Sequence, residues 1–352
     1  MDSRLNVLPS LVIRKALAFL SPLDAFETFL STPHLVPKLM EHKLELNEIK
    51  IECWDDFYHV QIGSNERTPS DPYPAAHLYF LSTADDTRCP ALPSWQEDCE
   101  TIYLREDLRI NFICTRSKDR RIHVTCIPDK QRLFEAFRET ITFFQKVYRF
   151  AASSTSTLTI HSNNVLNVHS IRFEKFRNFN IFLRSNTIAP CWFMSWLLEN
   201  FELNKLHTLR QDVFENFSPK KPIRCREEFR TVGNWVTFEI LQKIDSPTIY
   251  LRQPLVKTVQ MNAYIKMWTV GEVGQNLKLL HIDVIVSAAI EDLKKGIEVE
   301  ETTDFEVPGK FCAGSYISNR ITDGFNVRRT TDNAVFTVAV GKSSFFMFAR
   351  NH

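Results

Sequence analysis

Apolar positions dominate the first forty residues. From Leu8 to Leu20 only Ser10, Arg14 and Lys15 are strongly polar. Leu8, Val12, Ala16 and Leu20 form one helical row, and Ile13, Leu17 and Phe19 cover much of the rest. Pro9 suits the first turn, where its missing N–H has no intrahelical partner anyway. Ser21 caps a second helix with Pro22 at its first position and Asp24 in its first turn, at the positive end of the dipole. Leu23, Phe26, Phe29 and Leu30 give that helix an apolar face. Ser31 to Pro33 repeat the signal before a shorter third helix that ends near His42. Each buried Leu, Ile or Phe contributes roughly 1.5–3 kcal/mol, yet about forty residues are usually too few for a stable domain. A first helix apolar on nearly every side leaves a face over, and such a face marks a partner site.

Farther along, residues 46–53 alternate with period two, as a half-buried strand does, and 77–82, 101–104, 108–114 and 121–126 read similarly. Polar, proline-containing stretches at 63–74 and 84–93 predict loops. Leu133, Phe137, Ile141, Phe144 and Val147 predict a helix over 130–150. The run Ala-Ala-Ser-Ser-Thr-Ser-Thr at 151–157 predicts a linker or turn. Strands then follow at 158–161, 180–183, 205–209, 248–251 and 278–284, with helices at 192–201, 232–244 and 258–270. Strands alternating with helices imply parallel pairing with crossover helices, and strand starts twenty to forty residues apart fall in the range of leucine-rich-like repeats. From 324 to 349, two apolar strands about a Gly-containing connection predict a hairpin, and 325–328 a third strand. The expected fold is α/β (α+β overall). A three-helix module over 1–45 precedes a β-rich region over 46–150 that ends in a helix. An irregular, leucine-rich-repeat-like α/β domain with a C-terminal β-hairpin then fills 151–352.

Composition narrows the function. Lys plus Arg number 43 against 42 for Asp plus Glu, a balance that argues against nucleic acid or an acidic membrane as main partner. Only 9 glycines leave few places for backbone to wrap a phosphate. The N-terminus lacks the pattern of a signal peptide, and no stretch approaches the ~20 apolar residues of a membrane span. The 8 cysteines are scattered without a CxxC pair, as buried thiols of a reducing compartment are. The expected location is intracellular, cytoplasmic and/or nuclear.

Catalytic signals are weak. His161 and His169 have no further ligands at metal-binding spacing. Asp55–Asp56, Asp85–Asp86 and the acidic stretch 298–304 read as solvated loops rather than shared acid–base sites. There is no GxSxG, GxxxxGK[ST], HExxH or GxGxxG. Residues 220–230 are basic but diluted by Glu227 and Glu228. They read as a solvated loop or, more sharply, as a target-facing or nuclear-import patch. No cofactor and no catalytic residue is expected.

Two motifs carry a family resemblance. The Leu8-Pro9 opening, the run from Ala16-Leu17 to Phe19-Leu20, the Ser21-Pro22-Leu23-Asp24 turn and the Phe/Leu helix after it resemble an F-box. Pro37, inside the third helix, departs from that family. Asn262 to Gly271, with Trp268 near the helix end, and then Asn276 to Ile282, including Leu277, resemble the second type of F-box-associated domain, a nematode-expanded family. Residues 327–335, with Arg328 and Ala334, resemble its ending, with Asn333 where Gly is usual; Asn tolerates the positive φ of such a turn. Trp268 is expected in the core and Gly271 at a left-handed helix end. The resemblance implies a non-catalytic subunit of a Skp–cullin–F-box type ubiquitin ligase. Pro9, Val12, Ile13, Leu17, Leu20, Pro22, Leu23 and Phe26 would dock on the Skp-family adaptor, and through it a cullin scaffold. The C-terminal domain would bind a target protein. A scaffold without a ubiquitination role, or an enzyme with a spatially assembled site, are the rival readings.

Overall fold

The computed structural model describes residues 44–55, 57–63, 76–82, 100–104, 110–116, 121–161, 168–174, 176–184, 190–208, 217–283, 289–302, 321–341 and 343–350. The helices expected in residues 1–45, with Pro9, Val12, Ile13, Leu17, Leu20, Pro22, Leu23 and Phe26, lie outside these. So do the loop expected at 84–93 and all but the first residue of that at 63–74. The chain divides into two compact units, Met1–Phe179 and Asn180–His352, each a mixture of strand and helix.

The first unit runs β1 (Leu44–Cys53), β2 (Phe57–Ile62), β3 (Ala76–Leu81), β4 (Glu100–Leu104), β5 (Ile110–Arg116), β6 (Arg121–Cys126), α1 (Lys130–Val147) and β7 (Tyr148–Ile160). β1 lies between β7, its parallel neighbour, and β2, its antiparallel one. β3 continues the sheet antiparallel to β2, then β6 parallel, then β5 and β4 antiparallel. Helix α1 is thus the crossover between β6 and β7, which parallel strands require. Asp129 caps it by accepting the Arg132 N–H at 2.8 Å, and Lys146 sits in the last turn, at the negative end of the dipole. Its buried row of Leu133, Phe137, Ile141 and Phe144 faces the sheet. The Phe137 ring stacks on Tyr58 at 4.4 Å and meets Phe80 edge-on at 5.7 Å.

Two features of this unit depart from the expectation. Residues 151–157 are the middle of β7, not a linker. Their small hydroxyl side chains suit a buried strand, because Ser154 donates to the Leu46 carbonyl at 2.8 Å. β2 is additional. All six of its residues are buried, polar His59 and Gln61 among them, so its polar positions do not mark a solvent face.

The second unit runs from β8 (Phe179–Leu183), whose first residue ends the first unit, through α2 (Cys191–Asn200), β9 (Leu203–Thr208), β10 (Ile223–Val232), α3 (Phe238–Gln242), β11 (Ile244–Asp245), β12 (Thr248–Arg252), α4 (Thr258–Thr269), β13 (Leu279–Asp283), α5 (Ile290–Lys294), β14 (Glu300–Glu301), β15 (Ile321–Arg328), β16 (Val335–Gly341) and β17 (Ser344–Ala349). β9, β10, β12 and β13 form a parallel block in that order. β17 pairs antiparallel with β13 and then with β16, and β15 and β14 extend the sheet. The expected three-stranded ending is present. Leu206, Phe229, Ile249, Leu280 and Met347 stand on consecutive strands, are all buried, and form a core row.

Here too the sequence misleads in places. The helix expected at 232–244 shrinks to α3, since Val232 still belongs to β10 and Gly233 turns the chain at φ 136°. Most of the basic stretch 220–230, one reading of which was a loop, is strand. Ile223 and Cys225 are buried while Arg224 and Arg226 point out, and two successive acids at 227 and 228 mask that alternation. The acidic stretch 298–304 contributes β14, whose Glu300 and Glu301 register with Asn326 and Phe325.

Candidate functional site

Of the motif residues expected to be structural, Trp268 and Gly271 meet the turn that carries Asn333 and Ala334, while Asn262 and Arg328 fasten neighbouring segments. Helix α4 ends in a Schellman motif: Glu272 N–H donates to the Met267 carbonyl and Gly271 N–H to that of Trp268, both at 2.9 Å. Gly271 supplies the required φ of 78°. Trp268 is fully buried, its ring 4.4 Å from that of Phe336 and capped by the Arg329 guanidinium at 5.0 Å. The Asn262 amide donates to the carbonyls of Leu293 at 2.7 Å and Lys295 at 3.0 Å, tying down the end of α5. Leu277 and Ile282 are buried on either side of the β13 start.

The Arg-Arg pair divides its labour. Arg328 is exposed and reaches Glu300 at 3.0 Å, whereas Arg329, not singled out by the sequence reading, is the buried clamp. It binds Asp332 through Nε–Oδ1 at 2.9 Å and Nη2–Oδ2 at 2.5 Å, and donates from Nη1 to the carbonyls of Gly274 and Gln275 at 3.2 Å. Ala334 closes the turn by donating to Asp332 at 3.1 Å, and Asn333 takes the positive φ of 60°. The signal for this clamp is Arg-x-x-Asp across a turn. Strand alternation explains the choice of arginine, since next to an outward Arg328 the following side chain points in.

A cleft of about 910 Å³ opens at the starting ends of the parallel strands of this unit. Leu203 begins β9, Arg224 to Arg226 open β10, Asp245 ends β11, and Pro247 and Lys278 immediately precede β12 and β13. Leu198 and Phe201, at the end of α2, form an apolar wall. Of the basic stretch singled out in the sequence, Lys221, Arg224 and Arg226 line it; Asp245 and Lys278 join them only through the fold. Glu202 pairs with Arg226 at 3.0 Å, and Asp245 accepts from Asn276 at 3.0 Å and faces Arg224 at 3.6 Å.

This arrangement suits binding better than catalysis. Cys225 is the thiol in the lining, and burial pushes its pKa up to about 12, so it stays protonated at neutral pH. Both lining carboxylates are engaged with cations. Ligands of open α/β sheets sit beyond the carboxyl ends of the strands, whereas this cleft lies at the opposite ends.

On the strand face of the same unit a polar row crosses the sheet. His207 and Arg230 both approach Glu228, at 3.3 and 2.8 Å, and the Arg230 guanidinium lies 4.5 Å from the Tyr250 ring. Tyr250 meets His281 edge-on at 5.7 Å, and His281 pairs with Asp283 at 2.9 Å. Burial raises the Glu228 pKa, but the hydrogen bond and charge of His207 and the charge of Arg230 outweigh it and hold the carboxyl below its ordinary value. Asp283 is held low in the same way by His281, Ser344 and Arg252 against its burial.

The two histidines once weighed as ligands part company. His161 stacks on Trp54 with ring centres 3.6 Å apart, and His169 is exposed. Among the described residues no group of His, Cys, Asp or Glu could hold a metal ion, and no helix is long and apolar enough to cross a membrane. No family model, no curated protein and no solved structure matches this chain.

Proposed function

We propose that this chain is a non-catalytic substrate-recognition subunit of a Skp–cullin–F-box type ubiquitin ligase. Its N-terminal residues from Pro9 to Phe26 dock on the Skp-family adaptor, and its second unit, leucine-rich-repeat-like in the alternation of parallel strands and helices, holds a target protein. The observation that carries the reading is the order of two motifs in one chain: an F-box-like stretch at 8–26 and, far downstream, a helix ending in Trp268 and Gly271 that packs on the turn from Arg329 to Ala334. The mixed-charge cleft, whose thiol is protonated, supports binding rather than chemistry.

The test is co-expression of the full chain with the adaptor, followed by co-purification. A stoichiometric complex that Leu20→Asp abolishes is expected. A folded chain that forms no complex, or a complex indifferent to Leu20→Asp, overturns the assignment.

A further inference from the structure

We infer that the cleft at the strand starts takes an extended acidic segment of the partner protein, with carboxylates facing Lys221 and Lys278 and an apolar side chain against Leu198 and Phe201. This names the chemistry of the target and rests on the target-binding reading above.

Charge is the first argument. The lining carries four cations (Lys221, Arg224, Arg226, Lys278) and two anions (Glu202, Asp245), a difference of +2. The whole chain is only +1, so the surplus is local. Both anions are spent on arginines, at 3.0 and 3.6 Å. Lys221 and Lys278 are exposed and have no ion-pair partner among the described residues. The C-terminus of α2 accounts for some of this enrichment, since it carries about half a negative charge. More than one positive charge is left for a ligand.

Shape and chemistry choose among anions. Phosphate is held by converging backbone N–H groups at a helix N-terminus or by the fork of an arginine, and here α2 presents its C-terminus and both arginines already face carboxylates. A single strand of nucleic acid needs free aromatic faces on which bases stack, and the one ring in the lining, Phe201, already packs edge-on against Trp196 at 5.1 Å. A cleft of about 910 Å³, half charged and half walled by Leu198, Phe201, Pro222 and Pro247, accommodates several residues of a chain carrying both acidic and apolar side chains.

The experiment is a display selection of short random peptides on the full chain, run in parallel on Lys221→Glu/Lys278→Glu. The strongest peptide is then resynthesised with its acids changed to amides. Peptides rich in Asp and Glu with a Leu, Phe or Trp are expected from the natural chain and not from the variant. The charge reversal should weaken the best peptide about tenfold or more, and added salt should weaken it progressively. Lys221→Gln/Lys278→Gln, with its melting curve compared to the parent, separates lost binding from lost folding.

Peptides without an acidic bias, equal binding by a folded charge-reversed chain, or tighter binding of a single-stranded oligonucleotide each overturn the inference. The outcome is separable from that of the ligase assignment. Adaptor binding without acidic-peptide binding sinks the cleft alone. Peptide binding without adaptor binding sinks the ligase reading alone.

Discussion

Arg329 grips Asp332 with two parallel contacts, Nε to Oδ1 at 2.9 Å and Nη2 to Oδ2 at 2.5 Å. The turn between β15 and β16 is thereby fastened to the loop after α4, because the same guanidinium also donates to two carbonyls of that loop. Replacing Arg329 with Ala strands those carbonyls and uncovers one side of Trp268. A loss of about 2–3 kcal/mol is expected in urea unfolding, and Arg329→Lys should recover only part of it, since an ammonium cannot make the paired contact.

Acid should act on the same pair. The Arg329 hydrogen bond, with further help from the Ala334 N–H, holds the Asp332 carboxyl at about 2. An unfolded Asp titrates near ~3.9. Its folded pKa is therefore depressed, so the stabilisation is present above ~3.9 and is lost as pH falls towards 2. Asp332→Asn should be less stable than the parent at neutral pH, and the difference should shrink across that acid window when both are melted side by side.

Gly271 offers a test of backbone geometry. Its φ is 78°, and an added Cβ would meet Thr331 Cγ2 at 2.8 Å. Gly271→Ala should lower stability by about 1–2 kcal/mol. Adding Thr331→Ser removes the methyl and should return the steric share while leaving the cost of the left-handed backbone.

The thiols report on burial. The Cys225 thiol is pushed up to about 12 and that of Cys53 also well above its ordinary value, in each case chiefly by burial. Both should resist iodoacetamide at neutral pH in the native chain and react fully in denaturant, read by peptide mass mapping. Fast native labelling of Cys225 would reopen a nucleophilic role for the cleft.

Much of this architecture could be read in advance where the side-chain pattern was one-sided. Helix α1 announced itself through Leu133, Phe137 and Ile141, and the final strands through 335–340 and 345–348, because apolar spacing there has one interpretation. β2 and the middle of β7 could not be read that way. One buries its polar His59 and Gln61 along with its apolar residues, and the other turns Ser154 and Ser156 inward, Ser154 donating to a carbonyl of the neighbouring strand. The cleft was half legible. Lys221, Arg224 and Arg226 stand out in the chain, but Asp245 and Lys278 owe their place to where parallel strands begin, which is a property of the fold. Arg329 was hidden by its neighbour, since either arginine could have pointed inward until the register of β15 was known.

The pairing of β13 with β17 sets a timetable for synthesis. Asp283 and its partner Ser344 are separated by 61 positions, so at ~5–20 residues per second a ribosome needs roughly 3–12 s to supply the second after the first. Throughout that interval the parallel block ends in an uncovered edge bearing Leu279, Leu280 and Ile282, an invitation to pair with another nascent chain. Products that stop short of Ser344 carry the same open edge permanently. They should be held by chaperones or deposited as aggregates, while the longer product is released.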